Sequence, residues 1–225
     1  MISVPDHATS VSEVVINNAV NTGEIKYVDA TCTGNTYVAG VLGYQQKAKY
    51  GFKTSNLVNT GTITVNNAKG KALNIGGIYG RIASGTAPTG TVLSVCDINV
   101  TNATSTERTS IGGIIGSTTV AITGAESYCN IKAIDLQGKA GMIMGIAYAA
   151  ATKATNCSVG GSIAFDTKED NDPSGDLILV PNFQSIADNW YEHIYTDKIS
   201  QADAEAAGCS LLAEKPALPT YTPAN

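Results

Sequence analysis

Charged residues are scarce in this 225-residue chain and make up only 15% of it. Lys and Arg number 14 against 19 Asp and Glu, which gives a formal net charge of −5 at pH 7. The sequence contains no basic patch, no run of arginines and no alternation of basic and aromatic residues. Because nucleic-acid binding needs positive charge to neutralise phosphates, we exclude nucleic acid as a partner.

Long apolar stretches are also missing. A transmembrane helix needs about 20 consecutive apolar residues, and the segment 142–151 is shorter and interrupted by glycine. We therefore predict no transmembrane segment. Met1 begins a polar segment without the basic region and apolar core of a secretion signal. Because the Thr- and Asn-rich composition is typical of secreted repeat proteins, we expect an extracellular or cell-surface protein whose signal has been removed.

Motifs for catalysis and cofactor binding are not found. The histidines are His7 and His193, and neither accompanies a Ser or Cys nucleophile motif. The glycine-rich run at 76–80 lacks the lysine and the following helix of a phosphate-binding loop. We predict no catalytic residue and no cofactor.

What the chain does contain is a repeat, most clearly seen at residues 59–80. The unit has an N-T-G-x-I half, followed by a pair of small residues, two apolar residues and a closing glycine, and cysteine replaces the first glycine in the later copies. The units start at intervals of 38, 35, 33 and 28 residues, and the starting residues are Gly23, Gly61, Cys96, Cys129 and Cys157. Such periods are typical of solenoids, propellers and arrays, and unequal intervals favour an open solenoid over a closed propeller.

The unit predicts three short strands in each coil, at 63–66, 75–79 and 92–96 in the second one. Apolar and polar residues alternate at 63–66, as in a half-buried strand. Because segment 14–20 matches 52–58, the chain is expected to enter on the third side of an incomplete coil. Each strand then pairs with its counterpart one repeat away, and crossovers between parallel strands are right-handed.

The predicted fold is therefore all-β, a right-handed single-stranded parallel β-helix of about four to five coils. Residues 1–165 form the repeats and 166–225 the C-terminal cap, with a short helix at 201–207 and a strand at 177–180. The Pro-containing tail is expected to be extended and to lead into a longer chain.

Glycines and asparagines are expected to turn the corners. The stretch 66–70 supplies one such corner, and a positive φ that glycine reaches freely is expected at the closing glycines Gly43, Gly80, Gly116 and Gly145. Gly77 and Gly113 are expected to permit tight packing within the coil. The predicted core residues include Ile63, Val65, Ile75 and Ile78.

Cysteines recur at one place in successive units. Cys96, Cys129 and Cys157 each precede a branched apolar residue by two positions, which predicts a column of buried thiols. A disulfide between neighbouring coils is geometrically conceivable, while a zinc site is disfavoured by the lack of a C-x-x-C pair. No metal site is predicted.

The one weak calcium-loop candidate lies in the acidic segment 166–176. Asp170, Asp172, Ser174 and Gly175 match the first half of such a loop, D-x-D-x-S-G, and the candidate ligands are Asp170, Asp172, Ser174 and Asp176. Pro181 stands where the bidentate Glu of that loop belongs, so a solvated loop is favoured.

The arrangement N-x-G-x-I followed by G-G-[IV]-x-G resembles the GLUG-motif repeats of bacterial surface proteins, especially secreted proteins of Bacteroides-type bacteria. The resemblance covers about residues 14–165 and is clearest at 76–80 and 112–116. Ala39 and Met142 depart from it by replacing a glycine of the motif. The resemblance implies an extracellular, adhesin-like setting and carries no catalytic residues.

Function is predicted from these features together. We expect a non-enzymatic, adhesin-like binding module of a larger surface protein, with glycans or surface proteins as partners. The candidate ligand surface consists of tyrosines in the first coils, whose rings could stack on sugars: Tyr27, Tyr37, Tyr44 and Tyr50.

Two alternatives remain open, a passive structural spacer and a polysaccharide-degrading β-helix enzyme. The enzyme needs clustered carboxylates. Glu24 and Asp97 hold equivalent positions two coils apart, about 10 Å by strand spacing. That separation is slightly beyond the range for paired glycosidase carboxylates.

Overall fold

The computed structural model describes most of the repeat region and two short segments after it. The described residues are 13–46, 51–136, 138–148, 154–167, 193–194 and 210–211. These residues form strands, turns and bends, with no helix among them, and so include no helix that could span a membrane. The helix predicted at 201–207 and the strand predicted at 177–180 lie outside the described residues.

Twenty-two strands follow one another along the described chain. In chain order they are β1 (Glu13–Asn21), β2 (Ile25–Val28), β3 (Asn35–Ala39), β4 (Leu42–Gln45), β5 (Gly51–Asn59), β6 (Ile63–Asn66), β7 (Lys69–Gly76), β8 (Tyr79–Ile82), β9 (Thr89–Ser94), β10 (Asp97–Thr101), β11 (Thr104–Gly112), β12 (Ile115–Thr118), β13 (Ile122–Thr123), β14 (Ala125–Ser127), β15 (Asn130–Leu136), β16 (Gly138–Gly141), β17 (Met144–Ala147), β18 (Ala154–Thr155), β19 (Ser158–Val159), β20 (Ser162–Thr167), β21 (His193–Ile194) and β22 (Ser210–Leu211).

These strands stack into parallel sheets, one strand per coil. Sheet A runs β1-β5-β9-β14-β19-β21-β22, sheet B β2-β6-β10-β15-β20, sheet C β3-β7-β11-β16 and sheet D β4-β8-β12-β17, and β13 pairs with β18 in a short fifth sheet. The prediction of an all-β parallel solenoid is confirmed, with about four turns. Its right-handed sense stays a prediction from the crossover rule.

The register follows the sequence repeat. Val14 pairs with Phe52 and Val20 with Val58, so the chain enters in sheet A as predicted. In sheet B, Ile25, Ile63 and Ile98 occupy one column. Sheet A also continues past the predicted repeat boundary, because β21 and β22 add to it in parallel.

The prediction of one strand at 75–79 is wrong, because a bend divides it. β7 ends at Gly76 and β8 begins at Tyr79, so each coil has four principal sides rather than three. At the bend, Gly77 N donates to Gly112 O at 3.1 Å and Ile78 N to Ile114 O at 2.9 Å. These bonds to the next coil satisfy the backbone where the chain turns. The first predicted strand coincides with β6, and the third overlaps β9.

The assignment of positive φ to the closing glycines is also wrong. Gly43, Gly80, Gly116 and Gly145 lie within strands of sheet D, and none has a positive φ. Residues that tolerate the left-handed region take positive φ instead: Asp29, Asn67, Asn102 and Asn156 between strands, and Asn18 and Asn56 within β1 and β5. These residues also bond along the stack, since Asn67 Nδ2 donates to Asp29 Oδ1 at 2.7 Å and Asn102 Nδ2 to Asn67 Oδ1 at 3.2 Å.

The glycines of the unit instead allow close approach between backbones. A Cβ on Gly77 would overlap Gly113 O and Ser94 Oγ, which confirms the predicted tight packing there. A Cβ on Gly116 would lie 2.5 Å from Ile75 N and 2.6 Å from Gly80 O. The closing glycines are thus required because sheets C and D approach each other closely.

The core lies inside the coils and contains the predicted residues Ile63, Val65, Ile75 and Ile78, all fully buried. Tyr79 also points inward with 0% of its surface exposed, and its hydroxyl donates to Thr54 Oγ1 at 2.6 Å. Burial raises the pKa of Tyr79 above its ordinary value, although the Thr54 hydrogen bond partly opposes this shift.

Tyr79→Phe is expected to lower the free energy of unfolding by about 1–2 kcal/mol at pH 8, because Thr54 loses a buried partner. An unfolded tyrosine ionises near pH 10, whereas the folded pKa is higher. The stability that Tyr79 provides is therefore complete below about pH 10 and is lost as pH rises towards the folded pKa. Urea unfolding at pH values from 8 to above 10 should show the wild type losing stability faster than the variant. Parallel pH profiles would contradict this assignment.

The thiol column is confirmed for Cys96 and Cys129, both buried, with their sulfurs 3.4 Å apart. That distance is well beyond a disulfide bond, and both cysteines are free. Cys157 is also buried but does not belong to the column. Its neighbour Ser158 pairs with Glu126, whereas Ser162 pairs with Asn130. The fifth unit therefore starts at residue 161 and not at 157, so its interval from Cys129 is 32 residues.

Candidate functional site

Two of the four predicted ligand tyrosines lie side by side on the first coil. Tyr37 in β3 and Tyr44 in β4 stack with ring centroids 4.6 Å apart and an angle of 18° between the ring planes. Both side chains are half-buried. Tyr27 lies on sheet B and packs against the core, apart from this pair, and Tyr50 lies outside the described residues.

Arg81 follows Tyr44 in the next coil. The two residues pair in register between β4 and β8, and Ser117 of β12 follows in the same column. Burial raises the pKa of Tyr44, the neighbouring Tyr37 adds to the shift, and the positive charge of Arg81 partly offsets it. The Tyr44 hydroxyl therefore stays protonated at neutral pH and donates to Gln46 Oε1 at 2.9 Å.

Both arginines of the chain converge on one further aromatic ring. The guanidinium carbon of Arg81 lies 5.0 Å from the centroid of Tyr148, and that of Arg108 lies 4.7 Å from it. Arg81 belongs to the second coil, Arg108 to the third, and Tyr148 follows β17 in the fourth. Tyr148 is 37% exposed, while the two arginines are half-buried. Such cation–π contacts are worth about 0.5–2 kcal/mol each.

These five side chains define what we call the aromatic–arginine strip: Tyr37, Tyr44, Arg81, Arg108 and Tyr148. The strip crosses all four coils and is carried by strands of sheets C and D, except for Tyr148 just beyond β17. Side chains held by paired strands keep their geometry better than side chains held by loops. The strip is therefore a preorganised surface.

A buried polar layer links the two sheets beside the strip. Asn74 stands in the column of Tyr37, and Ser110 is the next residue along it. Ser117 Oγ donates to Asn74 Oδ1 at 2.6 Å, and Asn74 Nδ2 donates to Thr36 O at 3.4 Å. The Ser117–Asn74 bond joins sheet D to sheet C, and the Asn74–Thr36 bond joins two neighbouring strands of sheet C.

Neither arginine has a carboxylate partner among the described residues. The ion pairs there are Lys26–Glu24 at 2.9 Å, Lys53–Glu13 at 3.0 Å and Lys71–Glu107 at 3.2 Å. The Nε atoms of Arg81 and Arg108 are buried and have no hydrogen-bond partner in the described part of the chain. A buried donor without an acceptor costs free energy, so the described part of the chain does not fully satisfy either guanidinium.

The acidic residues weighed for catalysis lie elsewhere, on sheet B. Asp97 accepts a hydrogen bond from Asn130 Nδ2 at 3.0 Å, and Glu24 is paired with Lys26. Within the described ranges, no three side chains of His, Cys, Asp or Glu gather into a potential metal site. The calcium-loop candidate Asp170, Asp172, Ser174 and Asp176 lies outside them.

The sequence prediction included Tyr37 and Tyr44 but missed Arg81, Arg108 and Tyr148. One signal for Arg81 was present, because it directly follows the closing Gly80 as Tyr44 follows Gly43. Aligning the residue after each closing glycine would have placed Tyr44 and Arg81 in one column. Arg108 and Tyr148 carry no comparable signal, since they reach the strip from other positions in their coils.

Comparison of the chain with protein-family models, with curated proteins and with solved structures found no match.

Proposed function

We propose that this chain is a non-enzymatic, adhesin-like binding module of a larger bacterial surface protein. Its partner would be a glycan or a surface protein. The observation that carries the proposal is the aromatic–arginine strip, which presents stacked, half-buried rings on a rigid scaffold. The cell-surface setting and the membership in the GLUG-motif family belong to the same proposal. They are supported by the repeat pattern and by the Thr- and Asn-rich surface.

Stacked tyrosines suit binding for physical reasons. An aromatic ring offers a large contact area with little conformational entropy to lose, and its hydroxyl supplies a polar contact. The Tyr37–Tyr44 stack fixes both rings before a ligand arrives, so less ordering is required on binding. Sugar rings have apolar faces that fit such a surface.

The experiment is a glycan and matrix-protein array probed with the wild type and with the double variant Tyr37→Ala/Tyr44→Ala. We expect the double variant to lose at least about tenfold in affinity, or about 1.4 kcal/mol. Tyr27→Ala is the matched control, because this tyrosine lies on sheet B, and it should bind as the wild type does. Circular dichroism and thermal unfolding verify that each variant folds.

Other outcomes would contradict the proposal in different ways. Equal binding by the wild type and the double variant would place the ligand surface elsewhere. Shortening of a polysaccharide during incubation would favour the enzyme alternative. Failure to bind any array member would favour the passive spacer.

A further inference from the structure

The geometry points to an anion-binding subsite formed by Arg81, Arg108 and Tyr148, through which the module binds acidic polysaccharides. This inference rests on the proposed binding function and specifies its ligand class. The anionic group would be a carboxylate or a sulfate carried on a sugar. Both present several acceptor oxygens to guanidinium donors.

Positive charge converges at this site. The chain has only two arginines, and although they belong to different coils, both guanidinium carbons lie within 5.0 Å of the centroid of the Tyr148 ring. Two positive charges around one small site repel each other. An arrangement of this kind is stabilised when an anion is shared between the guanidinium groups or bound by either.

The two arginines lack a neutralising partner among the described residues. Glu107 is adjacent to Arg108 in the chain, but it lies in a bulge of β11 and binds Lys71 at 3.2 Å. The described ion pairs of the three lysines are all at exposed positions, and none of them includes an arginine of the strip. The tyrosine ring compensates the guanidinium charges only in part. Because the Nε atoms are buried, an external anion reaches each guanidinium only through the part of the side chain that stays exposed.

The spacing of aromatic and cationic side chains favours a sugar over an acidic peptide. Arg81 stands next to Tyr44 in its column, one coil away, or about 4.8 Å by strand spacing. Aromatic and cationic side chains thus alternate along the stack, from the Tyr37–Tyr44 pair through Arg81 to Tyr148. A charged polysaccharide offers ring faces and anionic groups along one chain, which matches both kinds of side chain.

The test measures affinity by biolayer interferometry for four immobilised polymers: polygalacturonate, dextran sulfate, neutral dextran and polyglutamate. The first two distinguish carboxylate from sulfate, and the last represents an acidic peptide. We expect the wild type to prefer at least one acidic polysaccharide to neutral dextran by tenfold or more. Binding should weaken as salt rises, because charge attraction is screened.

Arg81→Gln and Arg108→Gln should each weaken acidic-polysaccharide binding by about tenfold or more, since each removes a charge and a forked donor. Lys26→Gln is the matched control, because it removes one positive charge at an exposed site on sheet B. It should change the affinity by less than about twofold, as expected for an exposed, screened charge. Thermal unfolding verifies that all variants fold.

Each remaining outcome separates this inference from the proposed function. Equal binding to acidic polymers by the wild type and both arginine variants overturns the anion subsite. If the binding of neutral glycans still requires Tyr37 and Tyr44, the proposed function stands without the anion subsite. Arginine-dependent preference for polyglutamate overturns the assignment to sugars. No binding to any glycan overturns the anion subsite, and no binding to any glycan or matrix protein overturns both.

Discussion

Gly61→Ala is expected to lower the free energy of unfolding by about 3 kcal/mol, while Gly23→Ala should change it by less than about 0.5 kcal/mol. The two glycines occupy equivalent positions in successive coils, because Ile25 pairs with Ile63. A Cβ on Gly61 would overlap Gly23 O and lie 2.8 Å from Asn21 Nδ2. A Cβ on Gly23 would meet only Asn21 Oδ1, at 3.7 Å.

The difference arises from the stacking of coils and not from backbone conformation. Neither glycine has a positive φ, so alanine introduces no backbone strain at either position. The overlap at position 61 involves backbone of the preceding coil, which is held by a hydrogen bond from Thr60 N to Asn21 O at 2.9 Å. That backbone has little freedom to move away, so the strands must separate.

Urea unfolding followed by circular dichroism measures both variants under the same conditions. The midpoint of Gly61→Ala should fall well below that of the wild type, while Gly23→Ala should superimpose on it. Equal midpoints for the two variants would show that the coils are not stacked in this register. If Gly61→Ala fails to fold, its recovery in inclusion bodies beside soluble Gly23→Ala supports the same conclusion.

Ile98→Ala is expected to cost about 3–4 kcal/mol, in the range for removing a fully buried branched side chain. Ile98 is 0% exposed and lies between Ile63 and Ile131 of the neighbouring coils. Removing its side chain opens a cavity that this column cannot close without bending the sheet. Ile25 stands in the same column on the first coil and is only half-buried. Ile25→Ala should therefore cost about 1 kcal/mol.

Thermal and urea unfolding of the two isoleucine variants check this difference. Equal losses would mean that the first coil is as well packed as the interior. A loss below about 1 kcal/mol for Ile98→Ala would contradict a continuous core, since even small deletions in packed cores cost this much.

Much of the solenoid was predictable, because its period is visible in the sequence. The match of 14–20 with 52–58 gave the register of sheet A, and alternation at 63–66 gave β6 with its observed bounds. The bend after Gly76 was missed because an apolar run at 75–79 reads as one strand. Hydrogen bonds from Gly77 and Ile78 to the next coil stabilise this bend, and such long-range bonds leave no local signal.

The corner residues and the fifth unit show how chemically similar patterns mislead. Positive φ was assigned to glycine, whereas asparagines such as Asn67 take that conformation and gain side-chain hydrogen bonds along the stack. The segment Cys157-Ser158-Val159 resembles the cysteine-containing segments that begin the earlier units. The equivalent position in sheet B is occupied instead by Gly161-Ser162-Ile163. Pairing between strands, not cysteine identity, decides the register.

The candidate site was only half predictable. Tyr37 and Tyr44 are seven residues apart in one unit, so their proximity follows from the repeat. Arg81, Arg108 and Tyr148 meet across three coils, and their contact depends on how far each side chain reaches along and across the strands. The register between coils, which the repeat predicts, does not show how far a side chain reaches.

The coil-to-coil pairing also has an evolutionary consequence. Because each coil bonds mainly to the coil before and after it, a duplicated unit inserted in register would recreate both of its interfaces. Such a duplication lengthens the molecule by one strand spacing, about 4.8 Å, without disturbing the existing contacts. Selection could then alter the residue after the closing glycine in the new copy alone. The protein can thus diversify its surface by adding length, with its scaffold unchanged.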